Sequence, residues 1–180
     1  GYYNVVYHFG IDNFINSCES IGIDGLIIVD LQPEEDSELY EKIQSKNIDL
    51  IRLITPTTDE KRLKIILKKA SGFLYYVTIT GITGQHSAEI EQIRKSILKV
   101  KKFSNLPVVA GFGIKNSTQV KKICSFSDGV VIGSSITFSS TGNFSGNPHC
   151  VEVPEKTMVG QIFSFLLASS NNCIGLTLDS

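Results

Sequence analysis

Residues 70–84 read ASGFLYYVTITGITG. Positions 73–79 are all apolar, aromatic or β-branched, with Gly72 before them and Thr80-Gly81 after. A run of this length without polar alternation is the pattern of a strand buried on both faces. Tyr75 and Tyr76 are adjacent, so their side chains must leave opposite faces of that strand. One tyrosine therefore points into whatever the sheet encloses, and the other toward its covering layer.

Similar runs lie on either side, at residues 25–30 (GLIIVD), 48–55 (IDLIRLIT), 106–111 (LPVVAG) and 129–133 (GVVIG). The spacers between them carry helical periodicity. Residues 11–21 place Phe14, Ile15, Cys18 and Ile21 on one face. Residues 34–46 open with acidic side chains, which favour a helix N-terminus. Residues 58–70 take Thr58 as N-cap and turn Leu63, Ile66 and Leu67 inward, leaving the charges of KRLKIILKK on a solvated face. Residues 87–103 repeat Ile90, Ile93, Ile97 and Val100 at three- and four-residue steps, and residues 116–126 form the last clear spacer helix. Such alternation predicts an α/β fold with a parallel sheet of five complete strands, and Gly1-Tyr2-Tyr3 as the stub of another. Beyond Ser135 the character changes. Residues 137–147 (TFSSTGNFSGN) read as loop, residues 156–168 as a final helix, and residues 169–180 carry no assignable pattern.

Composition narrows the function. The chain has 180 residues, of which 42% are hydrophobic, enough for one domain with a core. A net charge of -1 favours neither nucleic acid nor an anionic membrane. No apolar run approaches the roughly 20 residues of a membrane span, and the first residues lack the pattern of a signal peptide. Cys18, Cys124, Cys150 and Cys173 have no metal-ligand spacing and read as reduced thiols, which fits a cytoplasmic location.

Glycines cluster where strands end: Gly81-Ile82-Thr83-Gly84, Gly111-Phe112-Gly113-Ile114 and Gly133-Ser134-Ser135. Backbone amides freed at such turns can grip a phosphate. Asp30 closes an apolar strand, either touching ligand or bonding the next loop. His86 lies just past a glycine cluster, in a loop, while His8 and His149 have no evident partners. Gly111-Phe112-Gly113 is half of a dinucleotide fingerprint, without its third glycine and late in the chain, so a Rossmann reading is weak.

Tyr2-Tyr3-Asn4, GIDGLIIVDLQPEE (22–35), ITPTTDEKRLKII (54–66), ASGFLYYVTITGITG (70–84), LPVVAGFGI (106–114) and DGVVIGSSI (128–136) together resemble the alpha subunit of tryptophan synthase, in order and spacing. The resemblance implies an incomplete (β/α)8 TIM barrel. Residues 1–136 would form the family's strands 4–8 and the end of strand 3, with residues 137–180 a divergent loop and helix. It implies a lyase of tryptophan biosynthesis that cleaves indole-3-glycerol phosphate to indole and glyceraldehyde 3-phosphate. Tyr75 would support the acid/base step. Gly84, Gly113, Gly133 and Ser134 would bind the substrate phosphate. Tyr2, Leu53 and Phe112 would lie near the indole pocket, and Thr83 in a closing loop. Asp30, Gln32 and Pro33 would face the beta subunit of an alpha2beta2 assembly. No metal and no cofactor belong to this chain in that reading, since pyridoxal phosphate (PLP) resides in the beta partner.

Three departures accompany the resemblance. The family's catalytic glutamate and aspartate precede the position of Gly1, so residues 1–180 alone are expected to turn over negligibly and to be marginal as a monomer, with two open sheet edges. Gln32 stands where the family usually has proline. The stretch after Gly84, QHSAEIEQ, lacks the usual arginine and proline. A non-catalytic binding module that keeps the phosphate and partner surfaces is the alternative. Another phosphate-binding barrel isomerase is disfavoured by YYVTITGITG.

Overall fold

The computed structural model describes residues 1–78, 86–111, 117–132, 166–169 and 173–175. Its elements run α1 (Tyr3–Phe9), α2 (Ile11–Ile21), β1 (Gly25–Leu26), α3 (Ser37–Gln44), β2 (Asp49–Leu50), β3 (Arg52–Ile54), α4 (Glu60–Leu67), β4 (Leu74–Val77), α5 (His86–Lys101), β5 (Val108–Gly111), α6 (Ser117–Cys124), β6 (Gly129–Ile132), β7 (Leu166–Ser169) and β8 (Cys173–Gly175). β1 pairs with β2 in parallel, and β3, β4, β5 and β6 form a parallel ladder. β2 and β3 flank Ile51 in one extended run, and the Ile51 amide still donates to Leu26 O at 2.9 Å. The five runs read as strands are therefore five neighbours in one parallel α/β arrangement, an open arc of the expected barrel.

Alternation along the strands sorts side chains into two faces. Ile51, Tyr75, Val109 and Val131 form the inner cluster, with Ile27, Leu53, Phe73 and Val77 packed on it. The outer face is covered by helices and splits into two clusters. One gathers Val6, Ile15, Leu39, Ile43 and Leu50 under α1, α2 and α3. The other gathers Leu63, Ile66, Leu74, Tyr76, Ile93, Ile97 and Val130 under α4, α5 and α6.

Local chemistry explains most boundaries. α2 ends in a Schellman motif: Gly22 is left-handed at φ 77, and the Ile23 amide donates to Cys18 O at 2.9 Å. Its inward face is Ile11, Ile15 and Cys18; Ile21, expected there, is 72% exposed because the helix terminates at that residue. α4 is capped by Asp59, whose carboxylate accepts from the Arg62 amide at 2.7 Å. Thr58, read as the cap, instead accepts from the Thr55 amide at 3.1 Å and shapes the preceding turn. Asp59→Ala should cost about 1 kcal/mol and Asp59→Asn far less, read from urea unfolding. Equal losses for the two would rule out the cap.

Four expectations change. Tyr3 starts helix α1 rather than continuing a strand, because Asp30 Oδ1 accepts from its amide at 2.7 Å and caps the first turn. Gly1 alone bonds as a strand end would: its ammonium donates to Ile27 O at 2.6 Å, and its carbonyl accepts from the Val29 amide at 3.1 Å. Of the expected helix over 156–168, residues 156–165 lie outside the described residues, and Leu166–Ser169 is strand β7. β7 runs antiparallel to β6, and β8 antiparallel to β7. The outer edge of β6, expected to be open, is thus paired, which satisfies its row of donors and acceptors. Lastly, His86 begins α5 instead of sitting in a loop.

Among the described residues neither Cys18 nor Cys124 is in a disulfide, and no helix is long and apolar enough to cross a membrane.

Candidate active site on the inner face of the sheet

Tyr75 is the inward-facing member of the tyrosine pair and is 3% exposed; Tyr76 belongs to the outer cluster beneath the helices. In register Tyr75 lies opposite Leu53 on one side and Val109 on the other. Its ring leans along the strands toward their C-terminal ends and covers Gly111. A β-carbon built on Gly111 would sit 2.1 Å from Tyr75 Oη and 2.5 Å from Cζ. Gly111 therefore serves close packing as much as any turn. Thr78 fixes this corner, donating to Gly111 O from its amide at 2.7 Å and from its hydroxyl at 2.8 Å.

Burial pushes the Tyr75 phenol up to about 12. At neutral pH it stays protonated, so it can donate a hydrogen bond but does not serve as a phenolate base. Among the described residues its surroundings are the apolar inner cluster, toward the C-terminal end of parallel strands, the end where barrel enzymes carry out their chemistry.

The other expected residues divide. Leu53 is half-buried beside Tyr75 in the inner cluster, so the structure brings these two together. Tyr2 is 55% exposed at the start of α1, away from that cluster. Thr83, Gly84, Phe112, Gly113, Gly133 and Ser134 lie outside the described residues. Asp30, whose role the sequence left open, spends one oxygen on the Tyr3 amide. Gln32 Oε1 accepts from Arg62, and the buried Pro33 offers its carbonyl to Lys69 Nζ at 3.0 Å.

Sequence reasoning missed an ionic seam next to these residues. Asp36 is fully buried, with Lys69 Nζ 2.6 Å from Oδ1 and Arg52 paired to Oδ2. Arg52 projects from the outer face of β3, between Leu50 and Ile54, where the two outer clusters meet. The signal was present: an arginine in the middle of IDLIRLIT breaks an otherwise apolar run.

A hollow of about 310 Å³ lined by Lys101, Ser104, Asn105, Leu106, Pro107 and Asp128 lies at the opposite, N-terminal end of the strands. It is polar and held by the Lys101–Asp128 pair, and it faces away from Tyr75. Among the described residues no group of His, Cys, Asp and Glu is placed to hold a metal ion.

This geometry agrees with what the chain is similar to. The family model described as tryptophan synthase alpha chain matches residues 1–157. The tryptophan synthase subunit alpha from Campylobacter jejuni is 37% identical, with 74% of this chain and 54% of that one covered at a TM-score of 0.70. The alpha subunit from Legionella pneumophila str. Paris is 32% identical over 75% of this chain and 49% of that one, with a TM-score of 0.65. A tryptophan synthase complex from Pyrococcus furiosus is 28% identical over 74% and 53%, with a TM-score of 0.61. The chain thus spans about half the length of the solved structures it matches. With its parallel α/β arc, its inward tyrosine and a family match over most of its length, the chain belongs to the tryptophan synthase alpha chain family.

Proposed function

We propose that these residues form the substrate-facing part of a lyase that cleaves indole-3-glycerol phosphate into indole and glyceraldehyde 3-phosphate. In this reaction the carbon–carbon bond between the indole ring and the glycerol chain breaks. The ring carbon gains a proton, and the adjacent glycerol hydroxyl loses one as it becomes the aldehyde. A general acid and base for these transfers are commonly worth about 10²–10⁴-fold each. The family's Glu/Asp pair for that work is not among residues 1–180, so these residues alone should release negligible indole.

The buried, protonated Tyr75 carries the reading, set beside Leu53 at the substrate end of the strands. Its hydroxyl would hold a substrate or catalytic oxygen as a neutral donor. Gly84, Gly113, Gly133 and Ser134 would grip the phosphate, Phe112 and Tyr2 would border the indole, and Thr83 would close over it. Asp30, Gln32 and Pro33 would meet a beta subunit in an alpha2beta2 assembly in the cytoplasm. Pyridoxal phosphate belongs to that partner, and none is assigned here.

The test is indole release, measured with and without an N-terminal fragment from a related alpha subunit. Release is expected only on complementation, and Tyr75→Phe in the complemented assembly should lower kcat roughly tenfold, the worth of one hydrogen bond. A complex that assembles, binds the beta subunit and still releases no indole would favour the binding-module alternative.

A further inference from the structure

The stretch between β1 and α3 has almost no regular structure, yet it is heavily tethered. Three cationic side chains from one neighbouring βα unit converge on residues 31–36. Arg62, on α4, places Nη1 on Glu34 Oε1 and Nη2 on Gln32 Oε1. Lys69, just past α4, donates from Nζ to Pro33 O at 3.0 Å and to Asp36 Oδ1 at 2.6 Å. Arg52, on β3, pairs with Asp36 and directs Nη1 at Leu31 O, 3.5 Å away. The loop adds only one turn of its own, from the Glu35 amide to Gln32 O at 3.0 Å.

These tethers are not equivalent. Asp36, Arg52 and Lys69 form a buried base that anchors the loop's end. Arg62 acts from the surface, its side chain 32% exposed, and spans two residues of the loop with one planar fork. An isolated surface ion pair contributes little. A guanidinium bridging the side chains of Gln32 and Glu34, two residues apart, does more, because it ties both to one rigid fork. The Glu34 carboxyl is held below its usual range, chiefly by the hydrogen bond from Arg62, which agrees with the pairing. Ordering a free loop residue carries an entropic cost, and a partner that docks on a preset loop is spared that cost.

We infer that Arg62 is a positioning residue for partner docking: it presets residues 32–35, so that the exposed Asp30 and Gln32 present one fixed surface over the buried Pro33. The inference rests on the proposed reading that this segment faces the beta subunit.

Two readouts on the 180-residue chain test it. Hydrogen exchange follows the loop's amides, Glu35 above all, and calorimetry follows affinity for the beta subunit of a bacterial tryptophan synthase. Arg62→Ala should speed Glu35 exchange and weaken binding, each roughly tenfold, while amides of β3 and α4 keep their protection. Arg62→Lys should not restore either, since an ammonium lacks the planar fork that meets the Gln32 and Glu34 oxygens together. Gln32→Ala combined with Glu34→Ala should loosen Glu35 as Arg62→Ala does. Lys61→Ala, on the same helix but away from the loop, should change nothing. If Arg62→Ala behaves as Lys61→Ala in either readout, the positioning role is wrong. If the unaltered chain fails to bind the beta subunit, the partner-facing reading fails and takes the docking role with it, whatever the exchange data show.

Discussion

Asp36→Ala should destabilise the chain by about 3–5 kcal/mol, the range for removing one partner of a buried ion pair. Asp36 has no exposed surface, and Arg52 is only 5% exposed. With the carboxylate gone, the guanidinium keeps two distant carbonyl acceptors, Lys69 O at 3.4 Å and Leu31 O at 3.5 Å. Neither replaces a charge. Lys69 fares better, because its side chain is 27% exposed and its ammonium can turn to solvent. Burial draws the Arg52 pKa down to about 10, so the arginine remains cationic at neutral pH and its burial cost is present throughout the accessible range. Replacing Arg52 and Asp36 together by Met and Leu should therefore cost much less than Asp36→Ala alone. Urea midpoints for the original chain and these two variants decide the matter. A single Asp36→Ala change that shifts stability by under 1 kcal/mol would mean that the seam is hydrated and does not hold the two outer clusters together.

That seam also marks where sequence reading stopped. The five strands and the helices between them were legible because burial on both faces leaves apolar runs, and burial on one face leaves a 3.6-residue period. The two roles of Tyr75 and Tyr76 followed from alternation, up to the choice of which tyrosine faces inward. That choice depends on the direction in which the sheet curves, and a single strand does not encode it. Long-range chemistry was less accessible. The start of α1 depends on Asp30, 27 residues away. The cap of α4, read at Thr58, falls one residue later at Asp59, where the backbone is extended and the carboxylate reaches the Arg62 amide. β7 pairs with an edge over 30 residues distant, and its Leu-Leu-Ala-Ser sequence suits helix or strand equally until that edge is offered. Arg52 could have been flagged as an anomaly, but its partners, Asp36 and Lys69, come from other elements.

Gly111→Ala should be destabilising, by about 1–3 kcal/mol, although local propensity alone gives the opposite sign. Glycine inside a strand costs roughly 0.5–1 kcal/mol relative to alanine, and Gly111 has no left-handed backbone to protect. Packing decides the sign. The added methyl would lie 2.1 Å from Tyr75 Oη and 2.5 Å from Cζ. Neither side can retreat cheaply: Gly111 O is held by two hydrogen bonds from Thr78, and the tyrosine is walled by Ile51, Val109 and Val131. Tyr75→Phe should rescue Gly111→Ala only in part, since Cζ still collides. Tyr75→Leu should rescue it almost fully, giving a favourable coupling of roughly 1–3 kcal/mol in a double-mutant cycle. The same methyl would push the phenol off the end of the strands, so indole release by the complemented assembly should fall at least as far as with Tyr75→Phe. Urea unfolding of the four variants measures the cycle. A Gly111→Ala chain as stable as the original, or more so, would show that the phenol does not rest on that glycine, and Tyr75 would then lose its place over the site.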